Sequence, residues 1–315
     1  MIAVRKVAGI LIDKAHRRGE KAIIFVRNHP ALLLVGASLR HRADGFIFQS
    51  SFPLELQEKN YLERFAYRTV IRVGSFSVDG VLAVSPLGLQ RAKKLCSRKA
   101  SGLVVPLLTD LPAASTIEED VWGGVTESIR FIYIGTHAPR RNLDVVMEGS
   151  VSALDSGVDA VFLFVGGKPQ EINALRTISG VKEWENKGRI RFACSVPRRK
   201  LPSFLQGADV GLSLIPALPQ YREASPTKLA EYMGMGLAVL ASRGIELQES
   251  FVNDSSAGLL VTFDKASIAE GVTLMAKNPE YLEACKANSL LFAMERLNYS
   301  SYVEQFKRML ESNPS

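Results

Sequence analysis

The 315 residues are 47% hydrophobic and 23% charged, a balance that supports full cores in a chain longer than one ordinary domain. Cysteine occurs only at Cys96, Cys194 and Cys285, too few and too scattered for a disulfide framework or a thiolate metal site, which predicts a reducing, cytoplasmic setting. The net charge of +7 is uneven: residues 1–112 hold 18 Lys and Arg against 8 acids, and the remainder 21 against 24, which predicts an anionic partner for the N-terminal part.

Short apolar runs then alternate with helix-compatible stretches along the chain. Lys6 to Arg18 predicts a helix, Ala22 to Val26 a buried strand, and Leu32 to His41 a helix. Gly45 to Gln49 predicts a strand, Leu54 to Val70 a polar helix, and Gly80 to Val84 a strand ending in Ser85-Pro86. A helix to Leu95 and a strand over Leu103 to Leu108 complete the first series. Residues 109–128 are rich in Pro, Gly, Ser, Thr and acid and predict a domain boundary near 115.

The second series predicts strands at Ile129 to Ile134, Ala160 to Val165, Ile190 to Ala193, Val210 to Ile215 and Ala238 to Ala241. Helices are predicted at Asn142 to Ser156, Gln170 to Ile178, Lys200 to Gly207 and Pro226 to Met235, with two more over 266–292 and 299–312. Continuous apolar strands alternating with helices imply parallel sheets covered on both faces. The prediction is an α/β chain of two Rossmann-like domains, 1–115 and 116–298, with a terminal helix at 299–315 that crosses back to the first. Ligands of such folds bind beyond the carboxyl ends of the strands. The longest apolar run, Ala31 to Leu39, is about half of what a spanning helix needs, and Met1 to Asp13 is too short for a signal-peptide core, so no membrane crossing is expected.

The stretch from Glu223 to Gly236 carries the most chemistry. Ser225 is a good N-cap and Pro226 suits a first helical position, so a helix starting here presents free N–H groups and its positive dipole end to a phosphate. Glu223 and Glu231 flank that start, and carboxylates accept hydrogen bonds from the vicinal hydroxyls of ribose and sugar. Arg141 offers a guanidinium fork for phosphate oxygens, with Arg140 beside it.

Ser225-Pro226-Thr227-Lys228-Leu229-Ala230-Glu231-Tyr232-Met233-Gly234-Met235-Gly236 resembles the two-glutamate signature of retaining family-4 glycosyltransferases of the GT-B fold. Ala208-Asp209-Val210-Gly211-Leu212, Phe131 to Gly135 with Arg140-Arg141-Asn142-Leu143-Asp144, and Phe162 to Gly167 resemble further motifs of that family in the same order. The resemblance implies two Rossmann-like domains facing across a cleft and transfer of a sugar from a nucleoside-diphosphate sugar with retention. It implies that Glu231 binds the ribose, Glu223 the donor sugar as a catalytic-site residue, and Arg141 the diphosphate. Gly135, Arg140, Ser225, Thr227 and Lys228 complete the implied donor site.

Two positions depart from the family. Thr136 stands where many members have a second basic residue, and Pro226 where many have Gly; Arg140, Lys228 and the N–H groups of Thr227 and Lys228 are candidates to compensate. The N-terminal part resembles the family less: Val26-Arg27-Asn28-His29-Pro30, Gly80 to Ser85 and Leu107 to Asp110 match short segments, while a glycine-rich opening βα unit is not found. That predicts an abbreviated N-terminal domain and leaves a catalytically weak nucleotide-sugar-binding relative or partner subunit as the alternative. Phe46 to Ser51 carries no histidine, so His29 is the candidate catalytic histidine on the acceptor side, and His137 a candidate phosphate contact. No Asp-x-Asp pair is present, and neither metal nor cofactor is expected beyond the donor. The expected acceptor is a glycan or lipid-linked sugar of cell-surface polysaccharide or glycolipid synthesis. The basic N-terminal part predicts peripheral contact with an anionic membrane, and nothing beyond charge points to nucleic acid.

Overall fold

The computed structural model describes residues 1–53, 60–97, 99–109, 121–123 and 127–311. Most of the predicted boundary, and the start of the helix predicted from Leu54, lie outside the described residues. The chain divides into two compact units. Unit 1 is Met1–Pro106 with Arg222–Ser225 and Ser300–Ser315; unit 2 is Leu107–Tyr221 with Pro226–Tyr299.

Unit 1 runs α1 (Ile2–Arg17), β1 (Ile23–Arg27), α2 (Pro30–Leu39), β2 (Gly45–Ser50), α3 (Tyr61–Gly74), β3 (Gly80–Ala83), α4 (Pro86–Leu95) and β4 (Ser101–Val104). The strands are parallel and lie in chain order, β1-β2-β3-β4. Right-handed crossovers in one direction put α2, α3 and α4 on the same face. Leu33, Ile71, Ala92 and Leu95 from those helices share one core with Phe46, Phe48 and Val81. Period-two alternation turns Ile47 and Leu82 to the other face, under Met309 of α13 (Ser300–Glu311). The last strand lies earlier than the predicted Leu103 to Leu108. Its ladder begins at Ser101 opposite Gly80, and Pro106, with no N–H to donate, stands just beyond its end.

Unit 2 runs β5 (Ile129–Ile134), α5 (Leu143–Asp155), β6 (Ala160–Gly167), α6 (Pro169–Leu175), α7 (Val181–Asn186), β7 (Ile190–Cys194), α8 (Leu201–Leu205) and β8 (Val210–Ser213). It continues through α9 (Thr227–Gly234), β9 (Ala238–Ser242), α10 (Glu246–Ser255), β10 (Gly258–Val261), α11 (Lys265–Lys277) and α12 (Pro279–Arg296). The all-parallel order β10-β9-β8-β5-β6-β7 reverses direction between β8 and β5. That switch point is where an open α/β sheet takes its ligand. Both faces are packed: Phe131 and Tyr133 of β5 join one core, Ile132 and Ile134 the other. Each unit is therefore a Rossmann-like parallel α/β layer structure. Among the described residues no helix is long and apolar enough to cross a membrane.

Candidate active site

The site on unit 2 is built where β5, β6 and α9 converge beside the switch point. Three contacts fix α9 there. Tyr232 is fully buried, and its Oη accepts from the Ile134 N–H at 2.8 Å, pinning the helix to the end of β5. Gly211 on β8 makes room for that ring, since a Cβ there would lie 2.2 Å from Tyr232 Cγ. At the far end Gly236 adopts φ 70°, with Gly236 N–H donating to Met233 and Leu237 N–H to Tyr232, the Schellman pattern that stops a helix.

The start of α9 corrects the expected cap. Pro226 itself is the N-cap, with extended ψ of 116°, and the helix begins at Thr227. Ser225 is buried in unit 1 instead. Proline fits this position because the cap residue already lies outside the helical hydrogen-bond pattern. Leu229 N–H donates to the Pro226 carbonyl, so the forward-facing donors of this first turn are those of Thr227 and Lys228.

Opposite α9, β5 and β6 end in glycines that bring two backbones together. Gly135 has φ 146° and Gly166 φ 117°, and a Cβ on Gly166 would lie 2.4 Å from the Gly135 oxygen. Only glycine tolerates that approach. A Cβ on Gly167 would meet His137 Nδ1 at 2.2 Å, so the imidazole lies against bare backbone, 4% exposed. The loop passes through a 3-10 turn, Pro139–Arg141, into left-handed Asn142, which starts α5.

Polar atoms without partners concentrate in this corner. Among the described residues eight buried side-chain atoms lack a hydrogen bond, and five belong to this one cluster: Tyr133 Oη, both ring nitrogens of His137, Arg141 Nε and Lys228 Nζ. Lys228 Nζ lies 3.6 Å above the Tyr133 ring, and a Cβ built on Gly135 would stand 3.7 Å from that nitrogen. The Arg141 guanidinium sits 5.4 Å from the Tyr221 ring centre. Arg140 and Thr136 are exposed in the same loop. Buried polar groups without partners are costly, and a cluster of them that includes two cations calls for an anion.

The electrostatics agree. Burial, reinforced by Arg141, holds the Lys228 ammonium well below its usual pKa, with Glu231 pulling the other way. Burial pushes Tyr133 up to about 12 against the opposing pull of Arg141. Glu231, one turn along α9 from Lys228, is raised by burial despite Arg198, whose guanidinium lies 3.8 Å away. His137 is lowered to about 4, mainly by burial. It is therefore neutral at neutral pH and supplies hydrogen bonds rather than charge.

His137 also makes a stability prediction. Its folded pKa lies below the unfolded value, so the unfolded chain binds the proton first and stability falls as pH drops from about 6.5 toward 4. The contribution lost across that window is about 3 kcal/mol. Denaturant unfolding between those limits should fall less steeply for His137→Asn than for the parent; equal slopes would remove His137 as the cause.

The remaining predicted residues lie in unit 1. The Glu223 carboxylate is buried and accepts from Arg91 Nε at 2.5 Å, while its carbonyl accepts from Ser85 Oγ at 2.9 Å. Arg91 also donates to Ser50 Oγ at 3.0 Å, so Glu223 is anchored at the carboxyl ends of β2 and β3. His29 follows left-handed Asn28 and caps α2, its Nδ1 accepting from Leu32 N–H at 3.3 Å. Histidine there has a structural task, with the ring otherwise exposed.

No motif in the sequence assigns a role to Tyr133, Tyr221, Arg198 or the Gln248 network. Gln248 Oε1 accepts from Ser213 Oγ and its Nε2 donates to the Ser242 carbonyl, both at 2.6 Å, while Ser242 Oγ bonds both backbone groups of Ile215. These bonds fix the ends of β8 and β9. A lone Gln in a polar helix gives no periodic signal of that burial.

A family model, glycosyl transferases group 1, matches residues 116–291, more than half of the chain. The chain belongs to this family. Solved structures similar to this glycosyltransferase include Anabaena Alr3699/HepE in complex with UDP, at 15% identity and TM-score 0.75, covering 98% of this chain and 82% of that one. Sucrose-phosphate synthase from Thermosynechococcus elongatus is similar at 20% identity and TM-score 0.71, over 98% of this chain and 77% of that one. A trehalose-6-phosphate protein from E. coli bound with UDP-2-fluoro glucose is similar at 13% identity and TM-score 0.70, over 98% and 78%. These likenesses show the fold, which is the GT-B class of two Rossmann-like domains. No curated protein sequence matches the glycosyltransferase.

Proposed function

We propose that this glycosyltransferase binds a nucleoside-diphosphate sugar on unit 2 and transfers the sugar with retention, as a family-4 enzyme, to a glycan or lipid-linked acceptor of cell-surface polysaccharide or glycolipid synthesis. The observation that carries the donor assignment is the cluster of five unpartnered polar atoms on Tyr133, His137, Arg141 and Lys228 at the switch point of the unit 2 sheet. A diphosphate satisfies them together. Arg141 grips phosphate oxygens by its fork, Lys228 adds a point charge, and the N–H groups of Thr227 and Lys228 donate from the helix start. Gly135 keeps the approach open.

The same groups perform the chemistry. As the bond from the anomeric carbon to the diphosphate oxygen breaks, negative charge grows on the leaving group, inside a site already lined with cationic and N–H donors. Preorganised donors of this kind lower such a barrier without reorganising. Glu231 is assigned the ribose hydroxyls, Glu223 those of the donor sugar and His29 a polar contact with the acceptor. Lys228 and Arg140 supply the positive charge that Thr136 does not, and neither metal nor cofactor is assigned.

Similar structures hold UDP or a UDP-sugar, so UDP-sugars come first in a donor panel. The expected result is donor hydrolysis by the purified protein, transfer when a glycan acceptor is added, and an anomeric configuration unchanged between donor and product by NMR. Inverted product would overturn retention. Donor binding without hydrolysis or transfer would favour a binding relative.

A further inference from the structure

We propose that the outer surface of α1, α2 and α3 is a docking surface for an anionic lipid bilayer. The inference stands on unit 1 alone and does not depend on the donor assignment. Helix α2 lies between the other two. Arg5 of α1 donates to Ser38 at 3.0 Å and Ile12 clusters with Leu39, while Gly74 of α3 rests against Leu33. Leu34 and Ser38 of α2 are exposed between them.

Each flanking helix turns an apolar stripe outward. On α1 the buried side is Ala8, Gly9, Ile12 and Ala15, and alongside it Val4, Val7 and Leu11 are exposed, the last 59%. That spacing, three then four residues, lines up one helical face. On α3, Ile71 and Gly74 face inward, while Phe65 is 63% exposed and Phe76, just beyond the helix, 80%. Tyr61 and Leu62 extend that outward patch. Soluble surfaces seldom gather large apolar side chains so closely without a partner.

Charge selects the partner. Together α1 and α3 carry seven Lys and Arg against two acids. One of those acids, Asp13, is held by Arg42 through two contacts of 2.6 and 2.7 Å. Cations beside outward aliphatic and aromatic groups match the headgroup boundary of a bilayer, where the apolar stripe enters the acyl region and Lys and Arg meet anionic headgroups. A nucleic acid would pair with the cations and leave Val4, Val7 and Leu11 in water. A second protein copy would bury the stripes and bring like charges together.

The test is co-sedimentation of the full-length protein with vesicles of phosphatidylcholine alone and of phosphatidylcholine mixed with phosphatidylglycerol. Binding to the anionic vesicles should exceed binding to the neutral ones by at least about tenfold and weaken with added salt. Leu11→Ser with Phe65→Ser should reduce it by about tenfold or more, with unchanged thermal unfolding because both side chains are exposed. Lys6→Glu with Arg68→Glu should do the same. Equal binding to both vesicle types, no binding, or binding untouched by either pair would overturn the proposal. So would a dimer in solution that the same substitutions dissolve, or retention by nucleic acid in preference to vesicles.

Discussion

Lys228→Met is expected to lower kcat/KM for donor turnover by about a thousandfold, and Arg141→Met by about a hundredfold or more. The two differ because the Lys228 ammonium is enclosed beside the Gly135 backbone, against the Tyr133 ring face and with no hydrogen-bond partner among the described residues, whereas the Arg141 guanidinium has several N–H groups, of which only Nε is buried without a partner. Stability should move the opposite way for Lys228→Met. An ammonium held well below its usual pKa by burial destabilises the empty protein, so a methionine of similar length removes a desolvation cost. Higher unfolding free energy together with lost turnover is the signature of a group kept for function. Steady-state kinetics and denaturant unfolding on the same preparations check both halves. Turnover unchanged in both variants would remove this corner from the donor site, and a fall in stability with turnover would make Lys228 structural.

Gly166→Ala is expected to destabilise the protein by about 3 kcal/mol or more and to abolish donor turnover. Two independent costs add. Its φ of 117° lies where an L side chain is strained, and the new Cβ would sit 2.4 Å from the Gly135 oxygen, a backbone atom that cannot rotate away. Relief requires the β5 and β6 ends to part, which moves Gly135 and the loop carrying His137 and Arg141. Gly157 serves as the comparison: it also has positive φ, 80°, but a Cβ there meets nothing within 4 Å, so Gly157→Ala should cost only about 1 kcal/mol. Equal costs for the two would show that strain alone, and not the close approach, limits Gly166.

These two predictions rest on features that differ in how plainly the sequence displays them. The alternation of apolar runs and helices gave the two parallel units, because fully buried strands such as Phe131 to Ile134 and Ala238 to Ala241 have no polar face to obscure them. The edge strand β10 leaves little trace in the sequence: it has four residues, is mostly half-exposed, and opens with Gly258, where a Cβ would meet the Val239 oxygen at 1.8 Å. The polar α10 shows no clear apolar face in the sequence because its buried side holds Gln248 beside Leu247 and Val252.

The candidate site was legible in part. Lys228, Arg141, Gly135 and Glu231 stand in local motifs, and unit 2 brings them to one end of its sheet. Tyr133 carried no mark, since a tyrosine inside an apolar strand reads as core until its hydroxyl is found without a partner. Glu223 was legible as a residue but not in its surroundings. Its ion pair with Arg91 spans 132 positions, and no local pattern encodes a contact of that length. Ser225 shows the converse, a strong capping residue that the chain carries into unit 1 while Pro226 caps the helix.

The most direct test of the donor assignment is calorimetric titration with UDP, GDP and ADP, each against its own nucleoside. The best-bound diphosphate should exceed its nucleoside by at least about a hundredfold, and Lys228→Met should remove most of that difference. Diphosphates that bind no tighter than their nucleosides, or that bind Lys228→Met as well as the parent, would contradict the assignment.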